Sequence, residues 1–184
     1  MRAPLQRLVS ALLVVVALPA AAQMKPTFGV SAGASFPTGD FGDAFKSGYN
    51  VNALLGFRPP VSPVGFRIEG MYSRFDFKGT NAGGVHTNML AGIGNVVIGG
   101  GGPEGTVHPY AIGGVGIYNL KTAANGTESP GETKAGFNIG AGLDLPLSGI
   151  TAFVEARYHI VLTGSGTDGG SNTAFVPVSV GVRF

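Results

Sequence analysis

The chain has 184 residues, with 12 Lys or Arg against 10 Asp or Glu, so charged side chains are only 12% of the total. That is about half the usual share for soluble domains, and the absence of cysteine excludes a disulfide framework. Arg2 and Arg7 lie in an N-terminal segment that reads as a removable signal; the remainder is formally neutral and lacks the basic surface that nucleic-acid binding requires.

Residues 1–22 are predicted to be a secretory signal peptide. Arg2 and Arg7 form the basic region, 8–18 (LVSALLVVVAL) the apolar region, and Pro19 with Ala20, Ala21 and Ala22 the small-residue cleavage pattern before Gln23. The apolar run is too short for a spanning helix, which needs about 20 residues. No cysteine stands at the cut, so a lipid anchor is excluded. Residues 23–184 are then one domain.

From residue 27 the dominant signal is strict alternation of apolar and small or polar residues, the period of a β-strand. Segment 27–36 places Phe28, Val30, Ala32, Ala34 and Phe36 on one face and Gly29, Ser31, Gly33 and Ser35 on the other. Segment 49–58 carries Tyr49, Val51, Ala53, Leu55 and Phe57. In 65–77 the apolar face is Phe66, Ile68, Gly70 and Tyr72, opposite Arg67, Glu69, Met71 and Ser73. Segment 87–99 is apolar on both faces, and alternation leaves its register open. Segment 109–120 (PYAIGGVGIYNL) is small and apolar. In 134–145, Phe137, Ile139, Ala141, Leu143 and Leu145 oppose Gly136, Asn138, Gly140, Gly142 and Asp144. Segment 150–162 sets Val154, Ala156, Tyr158 and Ile160 against Glu155, Arg157 and His159. Segment 174–184 closes with Val176, Val178, Val180, Val182 and Phe184 against Pro177, Ser179, Gly181 and Arg183. No segment after the signal shows helical periodicity.

Most of these strands have ten or more residues, whereas strands of globular proteins have about five or six and tilted membrane strands about 9–11. The connections alternate in length. Those at 59–64 and 146–149 are short, 100–108 is intermediate, and 37–48, 78–86, 121–133 and 163–173 are long. Tight periplasmic turns and longer external loops give this rhythm, with both termini on the periplasmic side. The predicted fold is therefore all-β: an eight-stranded antiparallel up-and-down transmembrane β-barrel.

A soluble lipocalin-like barrel also alternates, with its apolar face inward. Three features place the apolar face outward, toward lipid. The other face is built from Gly, Ser and Asn, which suit a narrow lumen. Its few charges come in mixed-sign pairs, Arg67/Glu69 and Glu155/Arg157, as buried ions require. Aromatic residues cluster near strand ends, at Phe28, Phe36, Tyr49, Phe57, Phe66, Tyr72 and Phe184, as interfacial girdles do.

The chain resembles the outer-membrane protein β-barrel family, the OmpA- and OmpX-like or opacity-like small barrels. The resemblance runs over the whole mature chain and rests on Val182-x-Phe184, GASFPTGDFGDAF at 33–45 and PYAIGGVGIY at 109–118. It implies a bacterial outer-membrane location, with outer-membrane lipids and the outer-membrane assembly machinery as partners. It also implies that Val182 and Phe184 belong to the terminal signal that this machinery reads. The sequence departs from that signal where Ser179 replaces a glycine and Pro177 a polar residue. Pro177 cannot donate a ladder hydrogen bond, which predicts a bulge or an end of pairing there.

Motifs for chemistry are weak. Gly29-x-Ser31-x-Gly33 has the spacing of a nucleophile elbow, but Ser31 falls mid-strand rather than at a strand-to-helix turn. The dinucleotide-like G-x-G-x-x-G at 164–169 is followed by a strand, not a helix. Asn125-Gly126-Thr127 matches a glycosylation acceptor but reads as a turn. His86, His108 and His159 are dispersed, so no metal site, cofactor or catalytic residue is assigned. His159-Ile160-Val161 lacks the Ser two residues on that lipid A deacylases of this architecture carry. Arg67, Glu69, Glu155, Arg157 and His159 are read as a polar network in the lumen. The expected function is non-enzymatic: an envelope-structural or surface-interaction role, with long loops meeting an external ligand that the sequence does not identify. The alternatives are a narrow channel for small or apolar solutes and a lipid-modifying enzyme.

Overall fold

Long runs of period-two alternation build a sheet whose first and last strands can pair, so that it closes on itself. An open edge would leave a row of unpaired backbone groups, and closure removes it. The computed structural model describes residues 25–59, 62–79, 84–124, 127–163 and 172–184. The expected signal segment 1–22, the Gly-rich motif at 164–169 and Asn125-Gly126 of the sequon lie outside the described residues.

The barrel strands are β1 (Lys25–Thr38), β2 (Gly48–Arg58), β3 (Val64–Asp76), β4 (His86–Gly99), β5 (His108–Ala124), β6 (Glu132–Leu147), β7 (Ile150–Val161) and β8 (Thr173–Arg183). Each pairs antiparallel with its sequence neighbours. Strands β1 and β8 close the ring from Gly29↔Arg183 to Thr38↔Ala174. The closing seam reaches the last residue: Phe28 N–H donates to Phe184 O at 2.9 Å and Phe184 N–H to Phe28 O at 2.8 Å. The strand ends flanking 59–63, 100–107 and 148–149 lie at one end of the barrel, the turn end, together with Lys25 and Phe184. The strand ends flanking the other four connections lie at the opposite, loop end.

The outward face is apolar, as the alternation predicts. Val30, Ile68, Leu90, Val115, Ile117, Ile139 and Val180 are each more than half exposed. Outward aromatics bound this band. Phe28, Phe66 and Phe184 stand toward the turn end, and Phe36, Tyr49, Phe137 and Tyr158 toward the loop end. Phe28 and Phe36 are separated by about 27 Å along β1, or about 20 Å of vertical height at the usual tilt, close to the apolar band of about 25 Å that a membrane barrel presents. Among the described residues no helix is long and apolar enough to cross a membrane.

Two local features differ from the sequence expectation, and a third resolves an alternative it left open. First, β5 and β6 continue past the expected 109–120 and 134–145, and Thr127–Glu128 extends their hairpin by pairing with Ala123 and Ala124. Most of the added residues at the loop end, Lys121, Thr122, Glu132 and Thr133, are polar, so the ladder continues there without an apolar face to mark it in the sequence. Second, a six-residue helix, α1 (Gly39–Ala44), occupies the connection expected to be irregular. Six residues are too few to display a 3.6-residue period. Third, of the two outcomes expected at Pro177, a bulge or an end of pairing, the second is found. Between β7 and β8 the pairing lapses after Ala156↔Val178 and resumes at His159↔Phe175 in the same register. The missing N–H costs ladder bonds without inserting a residue.

Segment 87–99 acquires its register from its neighbours. Thr87, Met89, Ala91, Ile93, Asn95 and Val97 face inward and are buried. This strand looked apolar on both faces because its lumen side belongs largely to an apolar layer: Met71, Phe75, Met89, Ala91, Ile93, Tyr118, Val161 and Phe175 form one buried cluster. Helix α1 lays Phe41 on it, with the Phe41 and Phe75 rings edge to face at 5.1 Å.

Candidate functional site

The lumen holds the strongest concentration of charge. Strands β3 and β7 are four places apart in a ring of eight, so they face each other, and both run toward the loop end. Arg67-x-Glu69 on β3 meets Glu155-x-Arg157 on β7. The reversed order sets opposite charges at matching heights across the barrel. Arg67 Nη2 donates to Glu155 Oε2 at 2.6 Å and Oε1 at 2.8 Å. Arg157 Nη1 and Nη2 donate to Glu69 Oε2 and Oε1 at 2.7 and 3.0 Å. Along the strands, Arg157 Nε lies 2.9 Å from Glu155 and Arg67 Nε 3.4 Å from Glu69. Two cations and two anions thus form a closed ring, each residue at most 4% exposed.

Burying four charges is tolerable only if their remaining lone pairs are satisfied. Tyr110 Oη donates to Glu155 at 2.7 Å, Asn95 Nδ2 to Glu69 at 2.8 Å, and Asn138 Nδ2 to Asn95 at 3.0 Å. Glycines of neighbouring strands give these large side chains room to lie flat. A Cβ on Gly140 would be 2.6 Å from Cγ of Arg157, and one on Gly181 2.6 Å from the Phe153 ring. The small lumen face is therefore the seat of the large one. On the opposite wall a neutral ladder joins β8, β1 and β2: Asn52 Nδ2 donates to Ser31 at 2.9 Å, Asn50 Nδ2 to Ser35 at 3.1 Å, and Ser179 Oγ to Asn50 at 2.7 Å.

Of the five residues expected in the polar network, the structure brings Arg67, Glu69, Glu155 and Arg157 together and sets His159 apart. His159 is fully buried in the apolar layer, its Nδ1 3.0 Å from Tyr118 Oη and its ring stacked on Phe175 at 4.9 Å. A strand rise of about 3.4 Å per residue separates it from Glu155 by four positions, too far for contact. Ser31 lies mid-strand in β1 and accepts from Asn52, with no turn around it. His86 and His108 bond to nearby carbonyls, of Gly84 at 3.1 Å and Pro103 at 3.3 Å. No group of three potential metal ligands occurs among the described residues.

Sequence reasoning missed a second ionic contact at the turn end. Arg183 bonds Asp144, and its guanidinium lies over the Phe153 and Tyr110 rings at 5.2 and 5.9 Å. Asp144 also accepts from the backbone N–H of Gly101 at 3.3 Å. Gly99, Gly100 and Gly101 all hold positive φ in that turn, a conformation glycine adopts freely. Parity could have found the pair: Asp144 shares its face with Asn138, and Arg183 with Ser179. Tyr110, Asn95 and Asn138 carry the same signal.

The lumen is thus layered from the turn end upward: Asp144–Arg183 with Val97, Tyr110 and Ile112, then the charged ring, then the apolar cluster under Phe41. An open hollow of about 1130 Å³ runs over the outer wall by Val30, Val51 and Tyr72, where small Ala32, Ala53 and Gly70 leave a shallow furrow.

The family model described as outer membrane protein beta-barrel domain matches residues 8–184. A search of the curated proteins finds no match. Among solved structures, the neisserial surface protein A superposes with a TM-score of 0.66 at 16% identity, covering 86% of this chain and 95% of that one. A major outer membrane protein from Thermus thermophilus gives 0.54 at 14% identity, covering 87% and 98%. Ail, the attachment invasion locus protein of Yersinia pestis, gives 0.51 at 16% identity, covering 86% and 97%. At these identities the likeness is one of fold.

Proposed function

The chain belongs to the outer membrane protein β-barrel family, and from that premise we propose that it is a non-enzymatic envelope protein acting through its surface rather than through its lumen. The observation that carries this reading is the ring of Arg67, Glu69, Glu155 and Arg157, which spans the barrel from wall to wall. Above it lies the apolar cluster and below it Asp144–Arg183. A solute crossing the barrel would have to break ion pairs in the middle and displace packed aromatics beyond them.

The remaining surfaces are the apolar wall, which contacts outer-membrane lipids, and the loop end, which meets an external ligand. Export removes residues 1–22, and the assembly machinery reads the terminal strand through Val182 and Phe184. Phe184 is 63% exposed on the outer wall beside Phe28, where a docking factor would meet it.

The test is conductance. The full mature chain is folded into planar bilayers and the current recorded across a range of voltages. No stable channel is expected. Discrete, reproducible openings would overturn the reading in favour of a narrow channel.

A further inference from the structure

Beyond the role of the lumen, one stretch of the outer wall has a composition that the apolar band does not explain. Register aligns Tyr49, Arg74, Asn88 and Lys121 side by side on β2, β3, β4 and β5. Arg74 falls between the buried, inward Ser73 and Phe75. Lys121 falls between Leu120 and Thr122, the partners of the inward Met89 and Thr87. Both cations therefore belong to the outer face. The row one step closer to the barrel middle is Val51, Tyr72, Leu90 and Asn119, and the next is Ala53, Gly70, Gly92 and Ile117. Moving toward the loop end, the wall therefore passes from apolar, through Tyr72, to a row with two cations.

We propose that this row is a docking surface for a phosphorylated lipid of the outer leaflet. Its acyl chains would lie on Leu90 and Val51, and a phosphate would be held between Arg74 and Lys121. The inference rests on the membrane reading above, since it needs this wall to face lipid.

The geometry suits such a ligand. Arg74 and Lys121 lie on strands two places apart, about 10 Å between backbones, so their long side chains can converge on one phosphate. Between them Asn88 is fixed by accepting from Tyr72 Oη at 2.9 Å. The Tyr49 and Tyr72 rings, 6.2 Å apart, form the amphipathic ledge typical of the headgroup level. The backbones of the nearby acids Asp76 and Glu128 lie one row farther out, while the Glu128 carboxylate reaches back within electrostatic range of Tyr72. Asp76 aligns with His86, then Ala123, then Glu128. Asp76 pairs with Arg74 at 3.5 Å, but both side chains are exposed, 63% and 38%, so the pair is weak and leaves Arg74 able to bind an anion. Cations at the lipid boundary with acids beyond them is the order that attracts a phosphate at headgroup depth and not one deeper or farther out.

The test uses the mature chain in phosphatidylcholine nanodiscs doped with lipid A or with its dephosphorylated form, with retained lipid counted by native mass spectrometry. Wild-type protein is expected to retain lipid A over the dephosphorylated form. Replacing both cations (Arg74→Gln with Lys121→Gln) should weaken lipid A retention about twenty-five-fold, two contacts each worth about a factor of five. Retention of the dephosphorylated lipid should not change. Arg74→Lys should keep binding, and inorganic phosphate in the buffer should not compete, because the acyl chains supply part of the contact. Equal retention of the two lipids, or a double variant that binds like wild type, would overturn the proposal. Boiled and unboiled samples on a gel are run in parallel. A chain that shows no folded, membrane-embedded form fails the membrane reading itself, and an embedded chain indifferent to phosphate fails this inference alone.

Discussion

Replacing Glu155 with Gln tests whether the charged ring holds the barrel together. The Glu155 carboxylate accepts from Arg67 at 2.6 Å, from Arg157 Nε at 2.9 Å and from Tyr110 at 2.7 Å. Glu155→Gln keeps the shape and removes one charge, leaving two buried guanidinium groups with Glu69 as their shared anion. Breaking a buried ion pair on one side costs about 3–5 kcal/mol, because the stranded cation is out of water. That is a fall in the folding constant of roughly a hundred- to a thousandfold or more. The assay is urea unfolding of the protein in lipid bilayers, followed by the fraction that keeps folded mobility on an unheated gel. Glu132→Gln is the control. Its partner Lys134 lies 3.4 Å away, and Glu132 is 73% exposed, so less than about 1 kcal/mol should be lost. If the two variants lose the same stability within about 0.5 kcal/mol, the ring contributes no more than a surface pair and the reasoning fails. Exchanging all four charges (Arg67→Glu, Glu69→Arg, Glu155→Arg, Arg157→Glu) restores charge balance but faces the donors Tyr110 and Asn95 with guanidinium groups, so it should recover only part of the loss.

Two further outcomes follow from the lumen and the seam. Gly140→Leu would thrust a side chain into Arg157 and should cost about 1–3 kcal/mol in the same assay, whereas Gly70→Leu, on the outer wall with nothing within 4 Å of its Cβ position, should be nearly neutral. Deleting Phe184 should lower the amount of assembled barrel in the outer membrane while leaving signal cleavage unchanged, measured by fractionation; an undiminished yield would remove Phe184 from the assembly signal.

The alternation of 27–36, 134–145 and 174–184 was enough to set strand positions and to send Phe28, Ile139 and Val180 outward, because a closed ladder leaves each residue only two directions. Segment 87–99 resisted the same logic. Its lumen side, Met89, Ala91 and Ile93, packs against Met71 and Phe175 from other strands, and a single strand does not record what faces it. The charged ring was half legible. Mixed signs two residues apart on β3 and on β7 mark buried charge, but the stronger links run across the barrel. Their pairing follows once the strand count is known. In a ring of eight, strands n and n+4 face each other and run the same way, so R-x-E on one and E-x-R on the other meet opposite charge at each height. His159 shares the parity of Glu155 and Arg157 but belongs to another layer, since two residues along a strand cross from ion pairs into the aromatic cluster. Parity therefore assigns a face and strand count assigns a partner wall. Height decides the chemistry, and it becomes readable only when the register of all eight strands is fixed.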